Sequence, residues 1–295
     1  MPKILVIGET GQLARSLAGL RWPSGFELAF VGRRHLPDGA PAAGIRAALE
    51  AEKPALVLNT AAYTAVDRAE SEAEAASALN AALPRALADA CSALDIPLVH
   101  VSTDYVFDGE KRSPYLETDV PNPLSVYGAT KLEGDLAIER AGLRRWAILR
   151  TSWVVSDIGE TFPVKLLRRA KAGAPLRVVD DQWGCPTAAS DLANAMQSVG
   201  LRLLDDDGAA VGLFNFCGAS DMSWRGFAEK LLAIAEPLGL KRPPLQAITT
   251  AELKAPARRP AYSVLSCAHI EQAFGISGAP IEHDLERMVR RILAV

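Results

Sequence analysis

The chain has 295 residues, 49% of them hydrophobic and 23% charged, and its formal net charge is −3 at pH 7. This composition is typical of a soluble globular protein with a sizeable core, and it excludes a general attraction to nucleic acid or to an anionic membrane. No apolar stretch approaches the ~20 residues that span a bilayer, so we expect a cytoplasmic protein that makes no membrane contact.

Apolar runs alternate with helical patterns through the first half of the chain. These runs lack polar alternation, as expected for strands buried on both faces of a parallel sheet, and they lie at residues 3–7, 28–31, 55–58 and 98–104. The alternation predicts an α/β fold with a doubly wound parallel sheet, Rossmann-like, and a dinucleotide-binding domain over 1–155. Residues 156–295 are predicted to form mainly a smaller C-terminal substrate-binding lobe, with a strand near 212–216 completing the sheet.

The first strand runs into a glycine-rich turn at residues 8–14, followed by a helix. Strand, glycine turn and helix is the arrangement in which backbone N–H groups meet a pyrophosphate. Gly8 allows the tight turn, Gly11 allows close approach of a ligand, and Ala14 stands where a third glycine would often lie. The predicted cofactor contacts in this turn are Gly8, Thr10, Gly11, Gln12 and Leu13.

The end of the second strand bears on the choice of cofactor. Arg33 and Arg34 stand where a carboxylate that binds the ribose 2′-hydroxyl of NAD often lies. They could instead accept a 2′-phosphate, so NADPH is predicted with NADH possible, and a pair of solvated surface arginines is the alternative. Asp38 could touch the adenosine end. Beyond the third strand, a cofactor could pass along Ala61, Ala62 and Tyr63, although this segment is also compatible with close packing alone.

Tyr127 and Lys131 are four residues apart in a predicted helix and should share one helix face. A lysine ammonium beside a phenol favours the phenolate and lowers its pKa toward the range of a general acid. Thr103 ends the fourth strand, where ligands bind in parallel sheets, and could hydrogen-bond the oxygen that Tyr127 would protonate. Such a pair also occurs by chance. Its position after a glycine turn and a strand-ending threonine favours catalysis.

The cysteines, His100 and Asn80 each support a further prediction. The four cysteines are far apart in sequence without a companion histidine, so free thiols and no metal site are predicted. His100 lies inside an apolar strand and is expected to be packed and hydrogen-bonded. Asn80 lies amid alanines in a helix predicted over 70–94, and we expect it to tether a neighbouring strand end, with a simple hydrogen bond to a loop as the alternative.

Together these motifs resemble the extended short-chain dehydrogenase/reductase superfamily, and within it the dTDP-4-dehydrorhamnose reductase family, over nearly the whole chain. The most specific matches are residues 59–67, 102–109, 121–123, 127–132, 150–153, 178–187 and 259–260. The chain departs from the usual family pattern at Ala14, Val155-Ser156, Glu160-Thr161 and Tyr262.

The resemblance implies an NADPH-dependent reduction of the 4-keto group of dTDP-4-dehydro-β-L-rhamnose, which gives dTDP-L-rhamnose for cell-surface polysaccharide. Tyr127 would protonate the keto oxygen, Lys131 would lower the tyrosine pKa and hold the nicotinamide ribose, and Thr103 would fix the carbonyl. Mg²⁺ is possible but is not signalled by the sequence, and the chain would act as a monomer or homodimer on its dTDP-sugar. The implied substrate contacts are Thr103, Asp104, Tyr127, Trp153 and Arg259.

Two alternatives remain open from the sequence. One is a nucleotide-sugar epimerase or dehydratase of the same superfamily, which would keep NAD bound and re-oxidise it; the arginines after the second strand argue against it. The other is a non-catalytic NADP-binding regulatory subunit, similar to that of methionine adenosyltransferase. The intact Thr103, Tyr127 and Lys131 argue against this second alternative.

Overall fold

The computed structural model describes residues 1–32, 42–206 and 208–294. In chain order the elements are β1 (Lys3–Ile7), α1 (Gln12–Ala18), β2 (Glu27–Val31), α2 (Ala42–Glu52), β3 (Leu56–Asn59), α3 (Val66–Ala69), α4 (Ala73–Ser77), a π-helical turn (Ala78–Ala82), α5 (Leu83–Leu94), β4 (Leu98–Thr103), a 3-10 helix (Asp104–Val106), α6 (Val126–Arg140), β5 (Trp146–Thr151), β6 (Val154–Val155), α7 (Phe162–Lys171), β7 (Leu176–Val179), β8 (Trp183–Gly184), β9 (Thr187–Ala188), α8 (Ala189–Asp205), β10 (Gly212–Asn215), β11 (Met222–Ser223), α9 (Trp224–Ala235), β12 (Leu245–Ile248), α10 (Thr250–Leu253), α11 (Ala268–Phe274) and α12 (Glu282–Ala294).

Six parallel strands form the central sheet in the order β2-β1-β3-β4-β5-β10. The strands therefore present their carboxyl ends at one edge, where Ile7 lies opposite both Val31 and Asn59. The strand order reverses between β1 and β3, which is the point where open α/β sheets bind ligands. The predicted doubly wound fold is confirmed, and the strand predicted near 212–216 is β10, which pairs with β5.

The two faces of the sheet are covered by different helices because successive strand residues point to opposite sides. Ile4 and Val6 pack with α1 and α8, whereas Leu5 and Ile7 pack with α2 and α5. Helix α8 thus brings residues from beyond position 155 onto the main core. The division into domains at residue 155 stays a prediction.

A second apolar cluster lies outside the sheet, between α7, α9 and α12. Leu167, Leu231 and Leu285 are fully buried in it, and the short parallel pair of β7 and β12 covers one side. Its helices are amphipathic and pack one apolar face inward. None of the helices in the described part of the chain is long and apolar enough to cross a membrane.

The helix predicted over 70–94 begins at Ala73 and runs to Leu94, but it is not α-helical throughout. Proline has no N–H and its ring displaces the carbonyl four residues earlier, so Pro84 cannot donate to the Asn80 carbonyl as an α-helical residue would. A π-helical turn absorbs this mismatch between α4 and α5. The freed Asn80 carbonyl lies instead against Gly134 of α6. The break therefore turns Asn80 toward the site described below.

Candidate active site

A polar stripe runs along α6 on the side that faces β4. Ser125 caps the helix by accepting from the Gly128 N–H at 3.2 Å. Tyr127, Lys131 and Asp135 follow at intervals of four, so they lie one above another. Lys131 and Asp135 are fully buried, which is rare for charged residues unless they are paired.

Two glycines let α6 approach its neighbours closely. A Cβ on Gly128 would overlap the Tyr105 carbonyl, and a Cβ on Gly134 would overlap the Asn80 carbonyl. The Asn80 side chain also donates to the Thr130 hydroxyl at 3.2 Å, and it exchanges hydrogen bonds with the backbone of Tyr63. Asn80 thus holds the loop after β3 rather than a strand, and it fixes α6 against that loop.

Tyr127 lies at the carboxyl edge of the sheet beside Thr103. Its half-buried ring meets Tyr105 edge to face, with 5.7 Å between ring centroids. Burial raises the pKa of Tyr127 to about 12, and the nearby Thr103 hydroxyl partly offsets this rise. The structure therefore brings together the predicted tyrosine and threonine, with the phenol fully protonated at neutral pH.

The predicted effect of Lys131 on Tyr127 is not seen in this structure. The Lys131 Nζ donates to the Val101 carbonyl at 2.6 Å and lies 3.0 Å from His100 Nε2. Burial lowers the pKa of Lys131 to about 8, so its own positive charge is destabilised. Burial and neighbouring carboxylates set the tyrosine pKa here, and they raise it instead of lowering it.

Asp135 anchors the lower end of the stripe in a buried ion pair. Its Oδ2 accepts from Arg150 Nε at 3.1 Å and from the Ser102 hydroxyl at 2.9 Å. Both charged side chains are at most 3% exposed. Helix α6 is thus joined to β4 and β5 by polar contacts that replace apolar packing.

Asp104, a predicted substrate contact, is buried beneath the site, and its contact with the sugar stays a prediction. The side chain is 2% exposed, and its carboxylate accepts from the hydroxyls of Thr103 at 3.1 Å and Ser152 at 2.9 Å. Ser263 supplies a further hydrogen bond, although burial still raises the Asp104 pKa to about 6. With its oxygens occupied, Asp104 orients the Thr103 hydroxyl.

Trp153 follows β5 and has an uncommon backbone conformation. Its φ of 46° lies in the left-handed region, which a bulky residue adopts only when its surroundings hold it there. The indole stacks on Trp224 with 3.6 Å between centroids, and it covers Gly184, where a Cβ would approach the indole to 2.6 Å. The half-buried Trp153 therefore connects the sheet edge with the second apolar cluster.

Arg259 reaches the same edge from the C-terminal part of the chain. Its guanidinium pairs with Asp67 at 2.9 Å and donates to the Ala257 carbonyl at 3.1 Å. It also hydrogen-bonds the hydroxyl of Tyr105, the ring that packs on Tyr127. The arginine is thus held one tyrosine away from the candidate acid.

The glycine turn has the form that a pyrophosphate requires. Gly8 has a φ of +119° and donates to the Val31 carbonyl at 2.9 Å. Among the described residues beyond its chain neighbours, a Cβ on Gly11 would meet no atom within 4 Å. Gly11 begins α1 without a side-chain cap, and Thr10 beside it is exposed. The side chain of Leu13 is buried in the core, so this residue can offer only its backbone.

Gln12 is committed to the protein in this structure. Its amide donates to the Val154 carbonyl at 3.1 Å and accepts from the Ser156 hydroxyl at 2.9 Å, which ties the glycine turn to β6. Ser156 is one of the departures from the family pattern. Any cofactor contact by Gln12 therefore has to share the amide with these two partners.

The loop after β3 borders the same crevice. The Ala61 N–H donates to Asn59 Oδ1 at 3.1 Å, which begins the loop, and Ala62 and Tyr63 are half-buried along it. The Tyr63 hydroxyl donates to Glu72 at 2.5 Å. Arg33 and Asp38, predicted to bind the adenosine end, lie outside the described residues.

Within residues 1–32, 42–206 and 208–294, no group of three or more metal-ligating side chains is placed to hold an ion. The four cysteines are free thiols. Cys217 and Cys267, fifty residues apart in sequence, have their sulfurs 3.6 Å apart.

Four residues of the site were not singled out from the sequence: Ser102, Asp135, Ser152 and Trp224. One pattern could have identified the first two. His100 and Ser102 alternate on one face of β4, and Lys131 and Asp135 are four apart on α6. Residues two apart on a strand share one face, as do residues four apart on a helix. Because these faces of β4 and α6 meet, His100 lies against Lys131 and Ser102 against Asp135. Trp224 and Ser152 carried no such signal.

The whole chain is similar to known proteins. A family model described as the RmlD substrate binding domain matches residues 2–294. A dTDP-4-dehydrorhamnose reductase of Sinorhizobium fredii is 39% identical over 292 residues, covering 99% of this chain and 98% of the relative. A crystal structure of a dTDP-4-dehydrorhamnose reductase from Clostridium acetobutylicum has a TM-score of 0.89 and 33% identity, covering 99% and 100% of the two chains. A Bacillus anthracis dTDP-4-dehydrorhamnose reductase in complex with NADP has a TM-score of 0.87 and 27% identity, covering 100% and 99%.

Proposed function

The chain belongs to the RmlD substrate binding domain family, and from that premise we propose that it is an NADPH-dependent oxidoreductase that reduces the 4-keto group of dTDP-4-dehydro-β-L-rhamnose to give dTDP-L-rhamnose. The observation that carries the proposal is that the Tyr127 phenol lies beside the Thr103 hydroxyl at the carboxyl edge of a doubly wound sheet. A family fold alone would not supply that pair.

The crevice between β1 and β3 fits a dinucleotide. The bare backbone of Gly8 and Gly11 lies on one side, and the half-buried Ala61 and Ala62 lie on the other. NADPH, when bound there, supplies the hydride. Gly11 leaves room for the pyrophosphate, Thr10 and the Leu13 N–H offer donors, and Lys131 holds the nicotinamide ribose.

Tyr127 acts as the general acid. Charge develops on the keto oxygen during reduction, and the Tyr127 hydroxyl gives that oxygen its proton. In the free protein Thr103 gives its single hydroxyl proton to Asp104, and it donates to the keto oxygen once that proton turns from the carboxylate to the substrate. The raised pKa of Tyr127 keeps the phenol protonated throughout the range in which the enzyme works.

Arg259 and Trp153 contact the dTDP-sugar. Arg259 is the natural partner of a pyrophosphate because its guanidinium can bind two oxygens at once, and it lies one ring away from Tyr127. Trp153 presents a rigid indole face, fixed by its stack on Trp224, against which a sugar ring can pack.

The chain acts as a monomer or homodimer.

The test is to incubate the purified protein with dTDP-4-dehydro-L-rhamnose and NADPH, following absorbance of the reduced cofactor and identifying the product by mass spectrometry and NMR. Steady NADPH consumption with one dTDP-L-rhamnose formed per NADPH supports the proposal. dTDP-glucose, which has no 4-keto group, is the matched substrate control. Conversion without net NADPH use would indicate an epimerase or dehydratase, and the absence of any conversion would indicate a non-catalytic protein.

A further inference from the structure

The orientation of the Asn59 side chain is fixed by the backbone. The Ala61 N–H donates to Asn59 Oδ1 at 3.1 Å, so the amide oxygen must face Ala61. The Asn59 Nδ2 then faces His100 Nδ1 at 2.9 Å. An amide nitrogen only donates, so His100 Nδ1 has to accept.

This acceptor determines where His100 carries its proton. Burial holds the pKa of His100 well below its usual value, so the ring is neutral. A neutral imidazole has one N–H, and with Nδ1 accepting that proton lies on Nε2. Nε2 is 3.0 Å from Lys131 Nζ, so an N–H points at the lysine nitrogen.

An N–H in this position is compatible with only one form of the lysine. An ammonium has three donors and no acceptor, so it would oppose the His100 N–H without a hydrogen bond. A neutral amine has a lone pair for that N–H, and it can still donate to the Val101 carbonyl at 2.6 Å.

We infer that Asn59 holds His100 in the Nε2–H tautomer, and that His100 donates to Lys131 Nζ and thereby keeps Lys131 a neutral amine in the free protein. Asn59 and His100 are positioning residues that act through the lysine. Their contribution is to set the pH at which Lys131 becomes a cation.

The groups that influence the charge of Lys131 come from four elements. From α6 itself, Asp135 lies one turn away and favours the ammonium, and Tyr127 lies one turn to the other side. Arg150 of β5 is paired with that carboxylate and weakens its effect. Strand β4 supplies His100 and the Val101 carbonyl, and β3 acts through Asn59. Burial lowers the pKa of Lys131 to about 8, and an opposing N–H lowers it further.

The kinetic consequence rests on the proposed function, whereas the tautomer does not. If Lys131 must be a cation to assist Tyr127, a proton has to reach Nζ before reduction. kcat/KM is then full below the lysine pKa and falls as pH rises through it. The pH at which kcat/KM falls therefore measures how far the contact with His100 lowers the lysine pKa.

The direct test uses ¹⁵N NMR on protein labelled separately in histidine and in lysine, without substrate. The His100 signals, assigned by their loss in His100→Phe, are expected to show an unprotonated Nδ1 and a protonated Nε2. The Lys131 signal, assigned with Lys131→Met, is expected to titrate below pH 8, whereas exposed lysines titrate near ~10.4. A protonated Nδ1, or a Lys131 that stays an ammonium up to pH 10, overturns the inference.

His100→Phe distinguishes the two tautomers by the sign of its effect, because it removes the ring N–H and retains a buried ring. If His100 donates to the amine, the variant raises the pKa of Lys131 and moves the fall in kcat/KM to higher pH by at least about one unit, tenfold in proton affinity. If His100 instead accepts a hydrogen bond from an ammonium, the variant lowers both the pKa of Lys131 and the pH at which kcat/KM falls, which contradicts the inference. The wild-type spectra decide the tautomer even where the variant is unstable. An inactive protein with the Nε2–H tautomer would refute only the proposed function.

Discussion

Replacing Tyr127 with phenylalanine tests the assigned general acid. The change removes the hydroxyl that lies beside Thr103 and retains the ring that packs edge to face on Tyr105. The position of α6 should therefore be preserved, since its cap at Ser125 is not touched. Turnover should fall while NADPH affinity stays nearly intact.

The size of the loss follows from what the hydroxyl supplies. With its pKa raised to about 12, the phenol of the free protein carries its proton at neutral pH, and the variant has no such proton to give. Removing a general acid lowers turnover by about 10²- to 10⁴-fold. At 1.36 kcal/mol per tenfold, this corresponds to about 2.7 to 5.4 kcal/mol of transition-state stabilisation. Thr103 remains to polarise the carbonyl, which favours the lower half of the range.

The assay is steady-state NADPH oxidation with dTDP-4-dehydro-L-rhamnose, together with cofactor binding by fluorescence. Tyr105→Phe is the matched control, because it removes a hydroxyl from the adjoining ring that binds Arg259 and not the reacting oxygen. It should raise KM and change kcat little. If Tyr127→Phe kept most of its kcat, or if Tyr105→Phe lost kcat equally, the assignment of Tyr127 would be wrong.

Three further outcomes are expected. Arg33→Ala should weaken NADPH binding more than NADH binding, measured as the two dissociation constants; equal losses would assign Arg33 to the solvated surface. Asp135→Leu leaves Arg150 buried without its partner and should cost about 3–5 kcal/mol in urea unfolding, and a change near zero would show that the ion pair is dispensable. Gly128→Ala places a methyl group against a neighbouring carbonyl and should displace α6, lowering kcat/KM about 100-fold per ångström of misplacement. Gly19→Ala, whose nearest neighbour would be 3.5 Å away, should behave as wild type, and equal activity of both variants would contradict the tight approach of α6.

The features that the sequence predicted are those encoded locally. Apolar runs without alternation identified β1 to β4, and the glycine turn after β1 has the positive φ at Gly8 that only a residue without a Cβ adopts easily. The four-residue spacing of Tyr127 and Lys131 placed both on one face of α6. Thr103 at a strand end was enough to predict its position beside Tyr127, because parallel strands end at a common edge.

What only the tertiary structure decided is which groups meet across elements distant in sequence. Spacing along α6 could not show that Lys131 faces His100, because the register of the helix on β4 depends on glycine contacts with other segments. Nor could it show that Asp104 is occupied by hydroxyls from three separate segments. The protonation of a buried group depends on the donors and acceptors that surround it in space. The sequence determined which residues could do the chemistry, and the packing determined their protonation.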